Sequence, residues 1–166
     1  MKALIVDHDF VCRLLLQELL KKYGDSHIAV NGKDTVEAVR MAKRTGEPYD
    51  LICLDIMMPE MDGHQALKEI RALHETNGTT TPNCPRIVMT TAASDRSSVL
   101  TAMRAGCDYF LIKPIRKDTG DPADNGTHHL TSRPTGFQSG GRREGPGHTT
   151  FKLARLPVAL PVAAAI

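Results

Sequence analysis

Leu51-Ile52-Cys53-Leu54 is an apolar run of four residues that stops at a carboxylate, Asp55, and then breaks into the turn sequence Met57-Met58-Pro59. A strand buried on one face alternates apolar and polar residues, so an uninterrupted run of this length suits a strand buried on both faces, as in a parallel sheet. Ala3-Leu4-Ile5-Val6, followed by Asp7-His8-Asp9, and Tyr109-Phe110-Leu111-Ile112, followed by Lys113-Pro114, repeat the design. Polar residues at the C-terminal ends of such strands stand where open α/β sheets gather their ligands.

Helical patterns separate these runs. From Phe10 to Tyr23 apolar residues recur at helical spacing, and Gly24 supplies a stop. His27-Ile28-Ala29-Val30 reads as a second strand, followed by an Asn31-Gly32 turn. A helix from Asp34 to Arg44 then turns Val36, Val39 and Ala42 inward. After the strand ending at Asp55, a helix beyond Gly63 carries Ala66, Leu67, Ile70 and Leu73 on one face. Glu75 to Pro85 reads as a polar loop, Ile87-Val88-Met89 as the fourth strand, and Ser94 as the cap of a helix running to Ala105. Repeated strand–helix units predict a doubly wound α/β fold, a parallel sheet with helices on both faces.

The organisation changes after Ile115. Residues 1–115 read as one domain, whereas 116–150 contain only Ala123, Leu130 and Phe137 as aliphatic or aromatic residues among Gly, Pro, Arg, Thr and His. That composition predicts a largely irregular tail over 116–166, not a second domain; Pro157 and Pro161 would break a helix in its apolar end. His128-His129, His148 and Arg142-Arg143 fall in this tail and read as solvated side chains. The net charge of +2 is too small to argue for nucleic acid or an anionic membrane, and no stretch is long and apolar enough to span one. Cys12, Cys53, Cys84 and Cys107 form no C-x-x-C pair, and the apolar run at the N-terminus is too short for a signal peptide. The expectation is a cytoplasmic protein with reduced thiols.

Polar residues close four of the proposed strands: Asp7, His8 and Asp9 the first, Asp55 the third, Thr90-Thr91 the fourth and Lys113 the fifth. Crowded carboxylates repel one another unless a hard divalent cation such as Mg²⁺ lies among them. The cation can also neutralise a transferring phosphoryl group, with Lys113 and a Thr hydroxyl on its other oxygens. Asp55 is then the nucleophile and forms an acyl phosphate.

Residues 2–115 resemble the receiver domain of two-component response regulators, through Leu4-Ile5-Val6-Asp7, Leu54 to Gly63, Met89-Thr90-Thr91-Ala92, and Ala105-Gly106 through Lys113-Pro114. The resemblance implies a flavodoxin-like sheet of order 2-1-3-4-5. It implies that Asp55 takes a phosphoryl group from a sensor histidine kinase or phosphotransfer protein and signals to a downstream effector protein. By it, Asp7 handles Mg²⁺, the Met57 backbone carbonyl binds the metal, Thr91 is the switch hydroxyl, Phe110 the aromatic switch and Lys113 the partner of the acidic site. It also implies a cis Lys113-Pro114 bond. Such a module is not an enzyme in the usual sense, although it would catalyse its own phosphorylation from small donors and its own dephosphorylation. A phosphatase using an aspartyl nucleophile is disfavoured, because it wants a second acid where Met57 stands.

Two departures qualify the resemblance. Receivers usually place a second acid after the first strand, as direct metal ligand, where this chain has His8, and imidazole suits Zn, Ni or Cu better than Mg²⁺. Three readings stay open: His8 turns to solvent and metal binding weakens, Asp9 shifts into the vacancy, or the metal preference changes. The second departure lies beyond Ile115, where Gly120, Pro122 and Gly126 make the fifth helix absent or atypical; the surface it would cover leaves room for a homodimer. A phosphorylation-impaired pseudo-receiver acting as a protein-interaction module is therefore the alternative function.

Overall fold

The computed structural model describes residues 1–76, 79–80, 84–92, 96–115 and 131–132. Its elements run β1 (Lys2–Val6), α1 (Phe10–Leu20, extended by a 3₁₀ turn Lys21–Tyr23), β2 (Asp25–Ala29), α2 (Gly32–Arg44), β3 (Leu51–Asp55) and α3 (Gly63–Leu73). They continue with a short hairpin, β4 (Glu75–Thr76) and β5 (Thr79–Thr80), then β6 (Arg86–Ala92), α4 (Arg96–Arg104), β7 (Tyr109–Lys113) and β8 (Thr131–Ser132). Strands β2-β1-β3-β6-β7 form the expected parallel sheet, which in the order of its parallel strands is 2-1-3-4-5.

Each strand feeds two cores because successive side chains point to opposite faces. Ala3, Ile5, Leu51, Cys53, Val88 and Leu111 pack on one face with Leu16, Leu19 and Leu20 of α1. Leu4, Val6, Ile52, Leu54, Ile87, Met89 and Phe110 pack on the other with residues of α2, α3 and α4. The expected inward residues Val36, Val39, Ala42, Ala66, Leu67 and Ile70 are buried, and Leu73 is partly so.

Several boundaries differ from the sequence reading. Asn31 is the cap of α2, its side chain accepting from Asp34 N, so the helix starts at Gly32 instead of Asp34. Strand β2 begins at Asp25 and ends at Ala29; as an edge strand it is largely exposed, which blurs its apolar signal. The loop expected from Glu75 to Pro85 holds the β4–β5 hairpin. Beyond Ile115 only the backbone pairing of Thr131–Ser132, antiparallel to β7, is described. It satisfies part of an edge that a parallel sheet leaves open. Ser94, the remainder of the 116–166 tail and the position of a fifth helix lie outside the described residues.

At the N-terminal ends of β6 and β7 a polar clamp joins three elements. Arg71 of α3 donates through Nη2 to Asp108 Oδ2 at 2.7 Å, through Nε to Gly106 O at 2.8 Å and through Nη1 to Pro85 O at 3.0 Å. Asp108 also accepts from Arg86 Nη1 at 2.9 Å and from Ile87 N at 2.8 Å. Removing one partner strands the others. Arg71→Ala is expected to lower the unfolding free energy by about 2 kcal/mol, seen as a lower urea midpoint at unchanged slope. An unchanged midpoint would show the clamp to be dispensable.

Candidate functional site

The sheet carries Asp7, Asp55 and Lys113 to one edge and, by strand alternation, to one face. All three continue the face that packs on α1, because Ile5, Cys53 and Leu111 stand two residues earlier in their strands. Asp7 and Asp55 are buried. The Lys113 ammonium bridges them, with Nζ 2.9 Å from Asp7 Oδ2 and 3.0 Å from Asp55 Oδ1. The Lys113-Pro114 bond is cis, as expected.

His8 occupies the other side of Asp55. Its Nδ1 lies 2.8 Å from Asp55 Oδ2 and 3.8 Å from Asp7 Oδ1, while the ring as a whole is half exposed. The imidazole is thus directed at the Asp55 carboxylate and not turned away into solvent. Asp9 has not shifted into the vacancy. It caps α1, accepting from Cys12 N at 2.9 Å, and that bond holds its carboxyl below the usual range.

The loop that presents these groups is fixed from two sides. Asp7 Oδ1 accepts from Asp9 N at 2.9 Å, and Arg13 Nη1 donates to the carbonyls of Asp7 at 2.8 Å and His8 at 3.0 Å. Arg13 was not anticipated, although its position one turn into α1 is the signal that could have found it. Below Asp55 the chain turns tightly: Gly63 N donates to Ile56 O at 2.9 Å, and a Cβ on Gly63 would lie 2.2 Å from Asp55 O. Only glycine lets α3 start so close to the end of β3.

Burial pushes the Asp55 carboxyl upward from its ordinary value, helped by neighbouring Asp7 and opposed by Lys113 and His8. Burial pulls the Lys113 ammonium down, but its bonds to Asp7 and Asp55 outweigh this and raise it. Cys53, two residues before Asp55, is pushed up to about 12 by burial and is no thiolate nucleophile.

The fourth strand places its two hydroxyls differently. Thr90 pairs in register with Asp55 and continues the α1-side face of Val88; its Oγ1 is buried without a hydrogen-bond partner among the described residues. Thr91 continues the opposite face, with Oγ1 donating to Ala92 O at 3.3 Å and no bond to Asp55. Phe110 is buried on that same opposite face beside Met89 and Ala102. Met57 lies in the turn after β3 with its side chain exposed.

The sequence profile of the response regulator receiver domain matches residues 3–121. The chain belongs to the response regulator receiver family. Chemotaxis protein CheY of Bacillus subtilis (strain 168) is 35% identical to this receiver over 119 residues, covering 70% of the chain and 88% of the relative. The two-component response regulator ORR41 of Oryza sativa subsp. japonica is 31% identical over 117 residues, 70% of the chain and 86% of the relative. Among solved structures, a co-crystal of the Saccharomyces cerevisiae histidine phosphotransfer protein Ypd1 with the receiver domain of Ssk1 matches at TM-score 0.58 and 29% identity, over 70% of this chain and 80% of that one. The receiver domain of the histidine kinase CKI1 from Arabidopsis thaliana, complexed with Mg²⁺ and BeF₃⁻, matches at TM-score 0.56 and 29% identity, over 67% and 79%.

A divalent cation implied by the family would meet Asp7, His8 and Asp55 in this receiver, whose ligand atoms all lie within 4.8 Å of one another. Two carboxylate oxygens and an imidazole nitrogen fit a divalent ion. They depart from the all-oxygen set that Mg²⁺ favours.

Proposed function

We propose that this receiver is a phosphoacceptor in a two-component phosphorelay, taking a phosphoryl group on Asp55. The observation that carries the reading is the Lys113 ammonium held between two buried carboxylates, 3.0 Å from the acceptor oxygen and 2.9 Å from Asp7. A cation fixed there neutralises charge that develops on the transferring group, without reorganisation at the moment of transfer. An Asp55 oxygen attacks phosphorus, the bond from phosphorus to the donor breaks, and the donor leaves with the electron pair. A divalent cation would be held by Asp7 and Asp55, with His8 and the Met57 carbonyl beside them, and would add positive charge facing the phosphoryl oxygens. Thr91 is the switch hydroxyl that bonds the phosphoryl group once present, and the burial of Phe110 on the Thr91 face supports its role as the aromatic that follows.

The donor is a histidine kinase or phosphotransfer protein, the partner class seen with Ssk1. Phe10, Val11 and Leu14 of α1 are exposed directly after the site loop, an apolar surface beside Asp55 suited to a protein donor. Output passes to an effector protein that reads the phosphorylated surface. Among the described residues no helix is long and apolar enough to cross a membrane.

A second reading is favoured by one observation. The His8 bond to Asp55 Oδ2 occupies the acceptor, as a pseudo-receiver kept for protein interaction would have it. Incubation with acetyl phosphate and a divalent cation (Mg²⁺, and Mn²⁺ in parallel), followed by intact-mass measurement, separates the two. A gain of one phosphoryl group, lost in Asp55→Asn, is expected. No gain with either cation, or with Co²⁺ in their place, would leave the pseudo-receiver.

A further inference from the structure

We infer that His8 makes the acidic pocket a site for a nitrogen-accepting first-row divalent ion, the class of Co²⁺ and Zn²⁺, in preference to Mg²⁺. The inference deepens the phosphoacceptor reading, because it concerns the cation of that same site. It rests on where the imidazole is. His8 Nδ1 stands 2.8 Å from Asp55 Oδ2 and 3.8 Å from Asp7 Oδ1. Adjacent ligands of a six-coordinate ion with bonds of about 2.1 Å are separated by about 3.0 Å, so the hydrogen-bonded Nδ1 and Oδ2 need part only slightly, with loss of the proton between them, to become neighbours on one ion.

The loop that carries the ring is also held. Arg13 on the carbonyls of Asp7 and His8, and the Asp9 amide on Asp7 Oδ1, fix the backbone that presents both side chains. A ligand oriented before the ion arrives loses little freedom on binding. The donor set then decides the ion. Mg²⁺ prefers oxygen and keeps much of its water, whereas imidazole strengthens binding along the series from Mn²⁺ to Cu²⁺. No other group of three metal-ligating side chains gathers among the described residues.

The full chain titrated calorimetrically with Co²⁺ and with Mg²⁺, beside His8→Asp, tests this. His8→Asp is expected to lower the preference for Co²⁺ over Mg²⁺ by about tenfold or more, since it turns the set to all oxygen. The Co²⁺-loaded chain is expected to show a paramagnetically shifted imidazole N–H proton resonance that His8→Asp abolishes. A preference unchanged by His8→Asp, or Co²⁺ held only by tail histidines with that resonance intact in the variant, would overturn the inference. Neither readout involves phosphorylation. A chain that never takes phosphate can still bind Co²⁺ through His8, and a phosphorylated one can still ignore it.

Discussion

Replacing Lys113 by methionine is expected to slow phosphorylation of Asp55 by about 100-fold, the cost of losing one preorganised charge at the reacting group. It is also expected to move the pH dependence of stability around the site to lower pH. In the wild type, Lys113 is raised above its ordinary 10.5 by Asp7 and Asp55, against the pull of burial. Its contribution to stability is therefore complete below that value and fades only as pH climbs through the raised one. Without it, Asp7 and Asp55 are left as two buried carboxylates with only His8 beside them.

The folded state of that variant holds protons more tightly than the unfolded chain. Stability is then lost as pH rises through the raised carboxyl value and returns on acidification. At neutral pH the loss should be about 3 kcal/mol, shrinking as pH falls toward the raised Asp55 value. Urea midpoints across this range, with a mass-spectrometric time course in acetyl phosphate, measure both effects. A variant that phosphorylates at the wild-type rate would remove Lys113 from the mechanism.

Gly63→Ala is the second large effect, about 3 kcal/mol of destabilisation. Two terms compete. Alanine is the better helix former by about 1 kcal/mol, and Gly63 opens α3. Against this, its Cβ would sit 2.2 Å from Asp55 O and 2.9 Å from Ile56 Cα, which are backbone atoms that no side-chain rotation can clear. The clash wins, and it pushes the start of α3 away from the end of β3. Phosphorylation should fall along with the urea midpoint, because the displaced atoms belong to the acceptor residue itself. An alanine variant as stable as the wild type would mean that the turn relaxes freely.

The fold was readable because burial on both faces leaves unbroken apolar runs. Leu51 to Leu54 and Ala3 to Val6 could hardly be anything but central strands, and carboxylates directly after them had to meet at one edge. Strand β2 was harder to delimit, since an exposed edge strand shows little pattern. Asn31 was read as a turn residue because caps and turns draw on the same chemistry. The direction of the His8 ring was open in the sequence. It depends on a carboxylate 47 positions away, and on Arg13 holding the loop, neither of which leaves a periodic trace. The Arg71–Asp108 pair, 37 positions apart, was invisible for the same reason.

That clamp lies at the opposite end of the strands from the candidate site. It pins α3 to the first residues of β6 and β7, whereas Asp55 and Lys113 sit where their strands finish. The seven residues of β6 put roughly 20 Å between those ends. Lys113 ties β1, β3 and β7 at one rim, and Arg71 and Asp108 tie α3, β6 and β7 at the other. The same sheet is thus fastened at both ends by buried or half-buried ion pairs, one set beside the candidate site and one remote from it.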